Sequence, residues 1–81
     1  MFMRINQAVV FQQDGLDREA VVEEMNAKYG FVFDVEDDVL DDDTPITIVY
    51  ISSTLAQSMR LKLDYHCVAD KENRYILFPT A

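Results

Sequence analysis

Apolar and polar residues alternate from Met3 to Phe11, with Met3, Ile5, Val9 and Phe11 on one side and Gln7 as the single polar member of that row. Period two over this length predicts a strand. Gln12-Gln13-Asp14-Gly15 follows as a turn, since Asp-Gly supplies a residue that tolerates positive φ. The period then changes. Val21, Val22, Met25 and Tyr29 fall within an arc of about 100°, the stripe of a core-facing helix over Leu16–Tyr29. Asp17 is its N-cap, Leu16 and Val21 form a hydrophobic staple, and Glu24 precedes Lys28 by one turn. Gly30 stands where a helix C-terminus favours the left-handed conformation.

Phe31–Val35 reads as a short strand, with Phe31, Phe33 and Val35 on one side. An acidic surface connection, 34–45, comes next and ends at Thr44-Pro45. Ile46–Ile51 is β-branched or aromatic throughout, the signature of a strand buried on both faces. Ser52–Ser58 reads as a polar connection with room for one helical turn from Ser53. Met59–Val68 alternates again: Met59, Leu61, Leu63, Tyr65 and Cys67 oppose Arg60, Lys62, Asp64 and His66. A turn over Asp70–Asn73 and a strand Arg74–Phe78, stopped by Pro79, complete the chain.

These elements predict an α+β fold: a small antiparallel β-sheet of four to five strands with one amphipathic α-helix packed on one face. The 81 residues make a single domain, 1–81. One helix covers one face only. Val32, Val49, Ile51, Ile76 and Phe78 cannot all share a face with their apolar neighbours, so some apolar surface is left on the far side, to be buried by a curled sheet or by a second copy in a homodimer.

Charge sharpens this picture. The net charge is −8, and residues 14–43 hold twelve acids against Arg18 and Lys28. Seven of these acids fall between Asp34 and Asp43. Such a field repels nucleic acid and anionic membrane and attracts basic surfaces. The hydrophobic share of 49% and nine aromatic residues exclude disorder. A single cysteine, no apolar run of about 18 residues, and a start, Met1-Phe2-Met3-Arg4, without a signal-peptide pattern lead to the expectation of a soluble cytoplasmic protein.

The candidate chemistry is mostly excluded by spacing. Counted from Asp34, a calcium loop would need Gly at its sixth position and Glu at its twelfth, where this chain has Val39 and Pro45. Clustered carboxylates in a solvated segment make poor acid–base catalysts. His66 and Cys67 are neighbours on a predicted strand, so they point to opposite faces and cannot share an ion. Cys67 reads as an inert thiol on the apolar face, while Asp64 is placed to pair with His66 on the polar one. One His and one Cys exclude a Cys/His zinc site, and two glycines build no phosphate loop. No catalytic, cofactor-binding or metal-binding residue is assigned.

What remains is a docking surface made of Asp34, Glu36, Asp37, Asp38, Asp41, Asp42 and Asp43, extended by Glu19 and Glu23 on the helix. Carboxylates on one side of an extended chain recur about every 6.5–7 Å, close to the phosphate-to-phosphate distance of a nucleic-acid strand. The expected function is a non-catalytic acidic module that binds the basic, nucleic-acid-binding surface of a partner protein, as an inhibitor of the kind phages and mobile elements encode. The alternative is an assembly subunit that oligomerises through apolar strand faces, with the acids serving solubility.

Overall fold

The computed structural model describes residues 3–79. The elements, in chain order, are β1 (Arg4–Gln12), α1 (Arg18–Lys28), β2 (Phe31–Val39), β3 (Pro45–Thr54), α2 (Leu55–Asp64), β4 (Tyr65–Lys71) and β5 (Arg74–Pro79). The five strands form one sheet in the order β2-β3-β1-β5-β4. β3 pairs antiparallel with both β1 and β2, β4 pairs antiparallel with β5, and β5 runs parallel to β1. The α+β class is as the sequence predicts. The sheet is mixed rather than antiparallel, however, and it carries two helices rather than one.

The second helix is the larger correction. Leu55–Asp64 contains no β-branched residue, no Gly and no Pro, and Leu, Ala, Gln, Met, Arg and Lys are all good helix formers. Thr54 starts it with a full capping box: the Gln57 N–H donates to Thr54 Oγ1, and the Thr54 N–H donates to Gln57 Oε1. Met59, Leu61 and Leu63 alternate because Leu61 lies on the buried face of the helix and Met59 and Leu63 lie roughly opposite, on its exposed face, which mimics period two. The strand begins at Tyr65. Thr54→Ala should cost about 1 kcal/mol, the usual value of such a cap, seen as a lower urea midpoint with an unchanged native circular dichroism spectrum. No loss would mean that the box does not hold the helix start.

Both helices lie on one face of the sheet. Val9, Phe11, Val49, Ile51 and Leu77 from the strands enclose Met25 and Tyr29 from the α1 side and Leu61 from α2. Gln7, the polar member of the β1 row, is also buried here, and its Nε2 donates to Ser53 Oγ at 3.2 Å. Ser53 Oγ in turn donates to the Tyr29 carbonyl, so a buried polar relay ties the end of α1 to β3. Beside it the chain turns at Gly30, whose φ is +151°.

Tyr29 links the helices. Its hydroxyl donates to Asp64 Oδ2 at 2.7 Å, and Arg60 Nε approaches the same oxygen at 3.1 Å. Asp64 therefore pairs with Tyr29 and Arg60 at the end of α2, not with His66 as predicted; His66 stands against the Phe78 ring. Burial, then the bond to Asp64, pushes the Tyr29 phenol far above its ordinary range. Tyr65, whose hydroxyl donates to Glu24, is pushed up to about 12, again chiefly by burial. Tyr50 is raised by its bond to Glu36 and then by burial. A phenol with a raised folded-state pKa stabilises the fold fully below the unfolded value of about 10 and loses that contribution as pH rises through the folded value. The urea midpoint should thus fall steadily from pH 10 to pH 12, and Tyr29→Phe should flatten the fall. A midpoint independent of pH across this window would contradict the burial of these rings.

The opposite face of the sheet has no helix. Its apolar floor is Ala8, Val10, Ile46 and Ile48, with Leu40, Tyr50 and Ile76 packed on it. Val32, Val49 and Ile51 belong to the helix side and Ile76 to the open side, so these residues divide between the two faces as the sequence predicts. Two bulges, at Val32/Asp34 and Ala69/Lys71, add local bend at the outer strands. The sheet curls so that Val39–Asp42 face Asp70, Lys71, Arg74 and Ile76 across a cleft of about 330 Å3. Arg74 is largely buried there, and its Nε lies 2.9 Å from Asp70 Oδ2, an ion pair by distance although the N–H is not aimed for a hydrogen bond.

Candidate interaction surface

The predicted acidic connection is not a connection. β2 runs to Val39, so Asp34, Glu36, Asp37 and Asp38 lie on a strand, and only Asp41, Asp42 and Asp43 occupy the turn. The reason lies in β3. A strand buried on both faces needs a hydrogen-bonded neighbour on each side; β1 supplies one and β2 must supply the other. Val32 and Val35 of β2 pack on the helix-side core, which sets the register despite the poor strand propensity of Asp. The hairpin closes with the Leu40 N–H donating to the Thr44 carbonyl and the Asp43 N–H donating to the Leu40 carbonyl, each at 2.9 Å. Asp43 takes the left-handed conformation at φ 66°, which Asp tolerates. The Thr44 hydroxyl, and after it the Thr44 N–H, hold the Asp42 carboxyl below the usual carboxylate range.

Register assigns each acid a face. Asp34, Glu36 and Asp38 stand opposite Tyr50, Ile48 and Ile46, and so project on the open side; Asp37 stands opposite Thr47 on the helix side. The three open-side carboxylates form a row with a repeat of about 6.5–7 Å along the outermost strand. Asp37 accepts from Thr47 Oγ1 at 3.1 Å and pairs with Arg18 Nη1 at 3.3 Å. Glu36 accepts from the Tyr50 hydroxyl. These bonds orient the side chains while leaving most carboxylate lone pairs open.

Two acids also serve the strand itself. Counting back from the Leu40–Thr44 bond, the N–H groups of Val35, Asp37 and Val39 point away from β3. Val35 donates to Asp34 Oδ1 at 2.9 Å and Val39 to Asp38 Oδ1 at 2.8 Å. Beyond the bulge, the Val32 N–H donates to Asn26 Oδ1 at 3.1 Å. The outer edge is thus capped at Val32, Val35 and Val39 by the chain's own oxygens.

Glu19 and Glu23 come to the same edge. With Arg18, Val22 and Asn26 of α1 they line a groove of about 630 Å3, whose other wall is Phe31, Val32 and Val35 of β2. All nine predicted residues therefore surround one outer strand: three on its open side, Asp37, Glu19 and Glu23 on its helix side, and three at its tip. Sequence reasoning missed Arg18, Asn26, Phe33 and Tyr50 as members of this surface. Phe33 is half exposed, and its ring stands 6.2 Å from that of Tyr50 beside the acid row. The bulge at Val32/Asp34 breaks the predicted one-sided row of Phe31, Phe33 and Val35, and no local signal in the sequence marks it.

The bases and the cysteine of the Met59–Val68 segment lie elsewhere. Arg60 and Lys62 are on α2, and Lys62 Nζ is 5.2 Å from the Tyr75 ring centre. Cys67 is half-buried on the helix side, where burial pushes its thiol up. Among the described residues no three His, Cys, Asp or Glu side chains converge closely enough to hold a metal ion. None of the described helices is long and apolar enough to cross a membrane. No family model, curated protein or solved structure matches the chain.

Proposed function

We propose that this protein is a non-catalytic interaction module that binds the basic, nucleic-acid-binding surface of a partner along the β2 edge. The observation that carries this reading is the row Asp34, Glu36, Asp38, continued by the tip acids, held in extended conformation on a paired strand. A flexible acidic loop would lose conformational entropy on binding, whereas carboxylates already held by the sheet lose little. Their repeat suits a groove built for phosphates, and the concentrated negative field draws a basic partner in. Immobilised protein should capture nucleic-acid-binding proteins at low salt and release them both at high salt and on addition of duplex DNA. Capture that neither salt nor DNA reverses would sink this reading.

The capped amides of Val35 and Val39 favour a second role for part of the same set. An exposed strand edge invites pairing with another sheet, and charged, self-capped edges resist it. On that reading the acids keep an assembly subunit from aggregating through β2, and they have no dedicated partner.

A further inference from the structure

The groove between α1 and β2 differs in kind from the acid row on the open side. Glu19, Val22, Glu23 and Asn26 follow at i, i+3, i+4 and i+7, so they form one face of α1 turned toward β2. Val22, Val32 and Val35 are half-buried at its base, and Phe31 beside Gly30 is 61% exposed. Glu19 and Glu23 are exposed, one helical turn apart, and make no hydrogen bond or ion pair among the described residues. Arg18, at the far end, is engaged by Asp37 at 3.3 Å and leaves both glutamates unopposed. The groove is apolar below and acidic along its helix wall.

The main chain of its strand wall narrows what can bind there. The Val32 N–H is taken by Asn26 and the Val35 N–H by Asp34. A strand added along this stretch would find both donors already used. Recognition in the groove therefore falls to side chains rather than to strand pairing.

We propose that the groove seats an apolar side chain of the partner's basic surface, flanked there by lysine or arginine side chains that reach Glu19 and Glu23. The inference rests on the binding role proposed for the β2 edge and names what the partner presents beside it. Charge complementarity selects this occupant. A neutral apolar segment would cover the two carboxylates without pairing them, and an acidic one is repelled by the net charge of −8. A second copy of the chain offers α2, where exposed Met59 and Leu63 stand beside Arg60 and Lys62. Those bases are already engaged, Arg60 by Asp64 and Lys62 by the Tyr75 ring, and the copy brings a further −8. The groove thus adds a preference that the acid row cannot supply: it selects, among basic surfaces, one with an apolar side chain between its charges.

Fluorescence anisotropy with two synthetic peptides of equal charge separates the groove from the acid row. Each peptide carries three lysines on either side of a central leucine or a central serine. At low salt both should bind, the leucine peptide roughly tenfold tighter, the order expected for partial burial of one leucine side chain. High salt should weaken both and leave the leucine peptide the tighter of the two. Phe31→Gln, at an exposed position, should bring the two affinities together without changing that of the serine peptide. Glu19→Gln with Glu23→Gln should weaken the leucine peptide more than the serine peptide. Asp34→Asn, Glu36→Gln and Asp38→Asn together should weaken both alike and keep their ratio. Equal binding of the two peptides by wild type overturns the groove and leaves the acidic edge standing, and a leucine preference that survives Phe31→Gln overturns it too. A leucine preference with no loss on open-side neutralisation supports the groove and removes the acid row instead. If neither peptide binds, both fall. Sedimentation that shows an oligomer of the free protein, dispersed by Phe31→Gln, would mean that a second copy fills the groove and overturns the proposal.

Discussion

Gly30→Ala should abolish most of the folded population. At φ +151° an L side chain is strained wherever it stands, and here there is no room for it. An added Cβ would meet the Ser52 carbonyl oxygen and Ser53 Oγ, each at 2.6 Å. The carbonyl belongs to β3, at the centre of the core, and cannot move without breaking its pairing with β1 and β2. The Ser53 hydroxyl is held between Gln7 and the Tyr29 carbonyl. Strain and overpacking together should cost more than about 3 kcal/mol. A chain of this length has only about 4–12 kcal/mol of stability in all. Each kcal/mol moves the melting temperature of so small a domain by about 4–8 °C, so a fall of more than 12 °C is expected, or no cooperative melt. Gly15→Ala is the control: its φ is also positive, but nothing lies within 4 Å of the added carbon. That substitution should cost about 1–2 kcal/mol. If Gly30→Ala melts no lower than Gly15→Ala, the close approach of the α1–β2 turn to β3 is wrong.

Neutralising the β2 edge should have the opposite profile: loss of binding with the fold kept. Asp34, Asp37, Asp38, Asp41, Asp42 and Asp43 to Asn, with Glu36→Gln, remove seven charges and leave the amide oxygens as acceptors. The caps on Val35 and Val39 therefore survive, as does the acceptor for Tyr50. The Arg18–Asp37 pair is exposed, and such pairs contribute about 0–1 kcal/mol. Partner affinity at low salt should fall by more than about 100-fold, since each surface charge pair contributes at least a few tenths of a kcal/mol and seven act together. The residual affinity should also lose its dependence on salt. Binding equal to wild type would remove the acidic edge as the site. A variant that folds but aggregates, with no partner lost, would favour the edge-protection role instead.

Several elements could be read directly along the chain because they satisfy themselves locally. The α1 stripe of Val21, Val22, Met25 and Tyr29, with Asp17 accepting from the Ala20 N–H, is one. β3 is another, since an unbroken β-branched run has only a doubly buried strand as its outcome. The start of α2 was equally legible in Thr54-Leu55-Ala56-Gln57, but alternation at Met59, Leu61 and Leu63 masked it. The acid set, too, was visible as composition, though not its form.

The sequence by itself determined the α+β class, the doubly buried β3, the N-cap of α1 and the concentration of charge in one third of the chain. All of these follow from local periodicity and counting. Only the tertiary structure decided that the acids line a strand, because β2 is extended by its pairing with β3 against its own propensity. It likewise set β5 between β1 and β4, a choice made by long-range register with no local signature. The sidedness of the molecule comes from that order, with an acidic edge at β2 and, at β4, an edge whose one acid, Asp70, is paired with Arg74.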